Sequence, residues 1–96
     1  MDLPPDLVAY KHTPWFTEAT VPAGLLSQHR TRDGVWGRIE VEAGQLTVRL
    51  LEPVIAERLL GPGEHALTAP GQAHEVAPVG AVRFRVVFLH QEGARG

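Results

Sequence analysis

The stretch Val35-Trp36-Gly37-Arg38-Ile39-Glu40-Val41-Glu42-Ala43-Gly44-Gln45-Leu46-Thr47-Val48-Arg49-Leu50 decides the fold class. Val35, Gly37, Ile39 and Val41 alternate with Trp36, Arg38 and Glu40. Leu46, Val48 and Leu50 alternate with Thr47 and Arg49. A period of two sends successive side chains to opposite faces of an extended chain, so each run reads as a half-buried strand. Between them, Glu42-Ala43-Gly44-Gln45 carries Gly where positive φ is cheap, and the spacing predicts a hairpin turn.

Downstream, Val82, Phe84, Val86 and Phe88 share one face while Arg83, Arg85 and Val87 take the other, which predicts a strand over 82–90. A short strand is expected at His74–Ala77, closed by Pro78-Val79-Gly80. Another is expected at Ala66–Thr68, between the breaks Gly61-Pro62-Gly63 and Ala69-Pro70-Gly71. Ile55 to Leu60 alternates poorly and fits either a strand or a single helical turn. Val8 to Phe16 reads as an extra edge strand or part of a dimer contact. Ten Gly and eight Pro leave no stretch with a helical apolar period. Seven or eight short strands with Gly/Pro turns give an all-β, mostly antiparallel sandwich or barrel. An immunoglobulin-like sandwich competes, without its usual cysteine pair.

The chain has 96 residues, enough for a single domain over 1–96 with loose ends at about 1–6 and 92–96. It contains no cysteine, which removes disulfides, thiolate zinc sites, iron–sulfur clusters and a cysteine nucleophile. A net charge of −2 argues against nucleic-acid binding, which needs a basic surface to displace counterions. No apolar run approaches the roughly 18 residues of a membrane span. The opening Met1-Asp2-Leu3-Pro4-Pro5-Asp6 lacks the basic and apolar regions of a secretory signal, so a cytoplasmic location is expected. Arg outnumbers Lys by eight to one, which reads first as codon bias of a GC-rich genome and second as anion recognition.

Histidine is the informative residue type, with five copies. His29 ends Gly24-Leu25-Leu26-Ser27-Gln28-His29, and His74 follows the tight turn at Pro70-Gly71. In a small closed β-barrel, two such residues can point into one mouth and form a metal site facing a cavity. The bland alternative for each is a surface or hydrogen-bonded residue. His12 falls in a polar entry segment and His65 in a turn. His90 either caps the barrel mouth or marks where the core ends. Glu40 and Glu42 share a strand face and read as a solvated edge, not an acid/base pair. Arg83 and Arg85 pair with Glu40 or with an anionic ligand. Ser27, the sole serine, lacks the Gly-x-Ser-x-Gly elbow, and no phosphate loop is present. Trp15, Phe16, Trp36, Phe84 and Phe88 are the large apolar anchors. Trp36, on the polar phase of its strand, reads as core, pocket wall or subunit contact.

Several stretches, taken in order, carry a family resemblance: Tyr10-Lys11-His12-Thr13-Pro14-Trp15-Phe16-Thr17, Thr20-Val21-Pro22-Ala23-Gly24-Leu25-Leu26, His29-Arg30-Thr31, Gly34-Val35-Trp36-Gly37, Gly44-Gln45-Leu46, Pro70-Gly71-Gln72-Ala73-His74-Glu75-Val76, Pro78-Val79-Gly80 and Val82-Arg83-Phe84. Over Tyr10 to Phe88 the chain resembles the cupin-like N-terminal domain of the bacterial tellurite-resistance protein B family, which also occurs as stand-alone small proteins. The resemblance implies a double-stranded β-helix, the small jelly roll of the cupins. It matches His29 to the first cupin histidine and His74 to the histidine of the second motif. Thr31 stands where a second histidine would be, and Trp36 lies near the place of the usual Glu. Val87 precedes Phe88 where the family often has an acidic residue.

The resemblance therefore implies a divalent metal (Zn, Fe, Ni or Mn) held weakly by His29 and His74, with Glu75, Asp33 or a subunit partner as candidate third ligand. It also implies a small-molecule or oxyanion ligand in stress or tellurite resistance. A metal-dependent enzyme of the cupin type, and a non-catalytic dimerisation or interaction module for a separate methyltransferase, are the alternatives. Partners expected are a second copy of the chain as a homodimer, no nucleic acid and no membrane. No methyltransferase activity is assigned, because the Gly-rich cofactor loop of a dinucleotide-type βαβ unit is missing.

Overall fold

A computed structural model describes residues 6–91. The expected loose ends, Asp6 apart, lie outside the described residues. The elements are β1 (Leu7–His12), β2 (Phe16–Thr17), a 3-10 turn (Ala23–Leu26), β3 (Val35–Leu50), β4 (Ala56–Leu60), β5 (His65–Thr68) and β6 (His74–Gln91). All pairings are antiparallel, in the order β1-β6-β3-β4, with β2 also on β6 and β5 also on β3. The all-β, antiparallel class read from the sequence holds.

The number and length of the strands differ from expectation. Residues 35–50 form one continuous strand rather than a hairpin, and 74–91 form another. The two run side by side from Val35↔His90 to Leu50↔His74. The alternation that suggested a turn is real. Ile39 and Val41 are buried in odd phase, Leu46 and Val48 in even phase. That slip is absorbed by register shifts at Val41/Ala43 and Gly44/Gln45, not by chain reversal. Gly44 has φ +78°, and a Cβ there would overlap the Ala81 carbonyl, so the position requires glycine for closeness as well as for dihedral. Pro78-Val79-Gly80 lies opposite this irregular region and bends β6 without ending it.

Because the bulges bend the long ribbon, both of its halves feed one core. Ile39, Val41, Leu46, Val48, Val76, Val82, Phe84 and Val86 pack with Leu25, Leu60 and Ala66. Phe16 pairs with Phe84 across β2/β6, and their rings meet edge-on at 5.7 Å. The ambiguous run at 55–60 is a strand over Ala56–Leu60, paired to Leu46–Leu50. Val8 to Phe16 supplies the edge strand β1 and then leads into β2.

Two of the expected breaks, at Ala69-Pro70-Gly71 and Gly61-Pro62-Gly63, are turns. Ala69-Pro70-Gly71-Gln72 closes with a Gln72 N–H to Ala69 O bond of 3.1 Å, and Gly71 has φ +71°. Proline followed by a positive-φ glycine is the type II pattern. Gly61-Pro62-Gly63-Glu64 closes likewise, Glu64 N–H to Gly61 O at 3.0 Å. His65 is the exposed first residue of β5 rather than part of a turn.

Candidate functional site

His29 and His74 meet. Their backbones exchange two hydrogen bonds, His29 N to His74 O at 2.7 Å and His74 N to His29 O at 2.9 Å. This bridge lies on the side of His74 away from Leu50, so the first residue of β6 is held between β3 and the loop carrying His29. Nδ1 of His29 then lies 3.3 Å from Nε2 of His74. His74 continues the buried phase of Val76 and is only 3% exposed. Its Nδ1 lies 3.0 Å from the Gln72 carbonyl oxygen, which can only accept, so Nδ1 carries the proton. Burial holds the His74 pKa below its ordinary value; the Gln72 carbonyl opposes this, and the nearby His29 adds a smaller lowering.

The loop before His74 is fixed by side chains. Gln72 accepts from Ala69 N–H at 2.9 Å and donates to Glu52 O at 2.7 Å. The Glu52 carboxylate accepts from Ala73 N–H at 3.2 Å and pairs with Arg30. Arg30 also donates to Gly71 O. The Arg30 hydrogen bond, then the Ala73 N–H, hold the Glu52 pKa below its usual range.

The pair opens on a cavity of about 190 Å³. Phe16, Pro22, Leu25, Val86 and Phe88 give it apolar walls, and Thr13 and Thr31 supply hydroxyls. Thr13 is anchored to β6 at both ends of its bonding capacity: its N–H donates to Val86 O, and Val86 N–H donates to its Oγ1 at 3.0 Å. The sequence reading placed His29 and His74 together but missed Thr13, Phe16, Leu25, Val86 and Phe88 as cavity walls, and Gln72 and Glu52 as supports. The Pro-Gly-Gln-Ala-His spacing was the available signal for Gln72.

The other expected ligands stand elsewhere. Glu75, next to His74 on the strand, points to the opposite phase and lies 3.5 Å from Arg49. Asp33 is exposed and does not line the cavity. No group of three His, Cys, Asp or Glu side chains able to hold a metal occurs among the described residues. Trp36 lies half-buried opposite Leu89, outside the cavity wall. His90 is exposed against the Tyr10 ring, and His12 bonds its neighbour Thr13.

The carboxylates of β3 are ion-paired rather than merely solvated. Glu40 is half-buried between Arg38 at 2.7 Å and Arg85 at 3.0 Å, while Glu42 takes Arg83 at 2.6 Å. Burial tends to raise the Glu40 pKa, but the two arginines outweigh it and the net shift is downward. Trp15 lies over both guanidinium groups, 4.6 Å from Arg85 and 5.1 Å from Arg83. The expected pairing with Glu40 is therefore made by Arg85, while Arg83 takes Glu42 instead.

A family model described as the TehB-like domain matches residues 11–86. The chain belongs to the TehB-like domain family. A curated relative, the probable S-adenosyl-L-methionine-dependent methyltransferase TehB of Haemophilus influenzae, is 33% identical over 63 residues. That alignment takes in 62% of this chain but only 22% of the relative. The crystal structure of TehB from Haemophilus influenzae superposes with a TM-score of 0.81 at 26% identity, covering 93% of this chain and 33% of that one. A crystal structure of an E. coli (strain K12) protein superposes with a TM-score of 0.82 at 22% identity, covering 95% and 97%, and supports the fold. This TehB-like domain thus spans about a third or less of the TehB chains it matches. No helix of its described residues is long and apolar enough to cross a membrane.

Proposed function

We propose that this TehB-like domain binds a small molecule in the His29/His74 cavity and serves tellurite resistance through that binding. The observation that carries the reading is the meeting of two imidazoles, from segments 45 residues apart, at the end of an otherwise apolar cavity. Few convergent polar groups in an apolar hollow are the usual form of a small-ligand site. About 190 Å³ is below the range of drug-sized pockets, so the ligand is small. The link to tellurite rests on family membership. The methyl transfer in the relative's name is not proposed for this chain, which spans 22% of that relative. The interaction-module alternative gains no support from histidines that lie in a cavity rather than on an exposed face.

A weakly held divalent ion is the second reading, favoured by one distance. Two nitrogens 3.3 Å apart match the separation of two ligands on a tetrahedral ion with bonds of about 2.0–2.1 Å. The Gln72 carbonyl on His74 Nδ1 is the kind of support a metal-bound histidine receives. Against tight binding, lasting zinc sites use three or four protein ligands, and the cavity wall carries two. A metal there would supply Lewis acidity, and His29 and His74 are the residues that would hold it.

The test is growth under tellurite of cells whose only copy of the gene encodes His29→Ala/His74→Ala, at matched protein level. Reduced tolerance relative to wild type is expected. Unchanged tolerance would separate the cavity from tellurite resistance and overturn the reading.

A further inference from the structure

The side-chain donors on the cavity wall are already spent within the protein. The Thr13 hydroxyl donates to Pro14 O at 2.8 Å, and the Thr31 hydroxyl to Ala69 O at 3.4 Å. With the His74 proton on Nδ1, the neutral ring leaves Nε2 as an acceptor. His29 Nδ1, 3.3 Å away, must then be the donor of that bond. A neutral His29 donating through Nδ1 has a bare lone pair on Nε2. The open polar capacity of these side chains is therefore the Nε2 lone pair of His29, the spare lone pairs of the Thr31 oxygen and the second lone pair of Thr13 Oγ1, whose first accepts from Val86 N–H. No Lys, Arg, Asp or Glu side chain lines the cavity.

We propose that the cavity selects an uncharged hydroxyl compound with an apolar body, and that His29 Nε2 accepts the hydrogen bond from its hydroxyl. This rests on the cavity reading above and narrows its ligand class. An oxyanion brings acceptors and charge to a wall that offers lone pairs and hydrocarbon, and a buried charge without a partner is costly. A pure hydrocarbon would dry the cavity while leaving His29 Nε2 unpaired, and that also carries a penalty. An apolar body with one donor satisfies both walls. Phe16 and Phe88 give an aromatic ring surfaces to pack against.

Three probes of similar size separate the cases: phenol, toluene and benzoate, each titrated into the full chain near pH 7.5. Amide shifts report cavity occupancy, and the imidazole ¹⁵N shifts report which nitrogen is engaged. In the wild type, phenol is expected to move the His29 Nε2 resonance from its bare-acceptor position toward a hydrogen-bonded one. Toluene should shift cavity amides without moving that nitrogen, and benzoate should bind more weakly than phenol. In His29→Leu the ratio of phenol to toluene affinity should fall about tenfold. Benzoate binding as tightly as phenol, or an unmoved His29 Nε2 with phenol bound, overturns the ligand class while leaving the cavity reading intact. If none of the three shifts the cavity amides, the cavity reading itself falls. The wild-type nitrogen measurement decides the matter even where the variant fails to fold.

Discussion

Gly44 lies flat against Ala81: a methyl on its Cα would overlap the Ala81 carbonyl oxygen and stand 2.8 Å from the Val82 Cα. This contact lets two long strands run past their shared bulge and bend around one core. Gly44→Val adds that overlap to the strain of φ +78° in a β-branched residue. A loss of about 2 kcal/mol or more is expected in chemical denaturation. A loss below about 0.5 kcal/mol would mean the bulge relaxes freely.

Stability should fall in mild acid because of His74. Its folded pKa lies below the unfolded value, so between the two the unfolded chain binds more protons. The stabilising contribution of the neutral ring is full above about pH 6.5, the ordinary histidine value, and is lost as pH drops through the depressed folded value. Glu40 and Glu52, also lowered, add acid sensitivity below the carboxylate range. Denaturation midpoints between pH 7.5 and 5 should decline for wild type and flatten for His74→Gln. Equal slopes would show that another group carries the dependence.

Metal occupancy separates a ligand-first site from a metal-first one. Protein purified without a histidine tag and dialysed against chelator is expected to retain well under one metal per chain. Excess zinc should then perturb His29 and His74 resonances, and not those of His29→Ala/His74→Ala. Stoichiometric metal surviving the chelator would place a third ligand outside the described residues or on a second copy.

Trp15 clamps the segment that walls the cavity. It covers Arg85 and Arg83 on the outer face, while Phe16, the next residue, enters the core. Cation–π contacts at exposed sites contribute about 0.5–1 kcal/mol each. Trp15→Ala should cost about 1–2 kcal/mol by this measure and speed hydrogen exchange of the Thr13 and Val86 amides, which bond each other's segments. Unchanged exchange at both would remove Trp15 from the cavity's support.

Self-association through β1 is the expectation for the open edge. β1 ends the sheet path and exposes Val8 and Tyr10. Light scattering at high micromolar concentration should give a dimer mass, and Val8→Lys should return it toward the monomer. A monomer at that concentration would remove the idea.

Local pattern alone sufficed for the all-β class, the chain breaks at Gly61-Pro62-Gly63 and Ala69-Pro70-Gly71, and the inward set Ile39, Val41, Leu46, Val48, Phe84 and Val86. These rest on local rules: period-two alternation, a fixed proline φ, and a glycine at positive φ. It also singled out His29 and His74. It did not show that Glu42–Gln45 is a bulge rather than a turn. Both devices absorb a one-residue slip in alternation, and only the partner strand distinguishes them. Nor did local pattern reveal that Thr13, Phe16 and Leu25 stand beside the histidines, because those neighbours come from segments remote in the chain. The tertiary structure decided the direction of each imidazole proton as well. A ring's tautomer is fixed by what its other nitrogen faces, here a backbone carbonyl two residues before His74 and a second histidine 45 residues away.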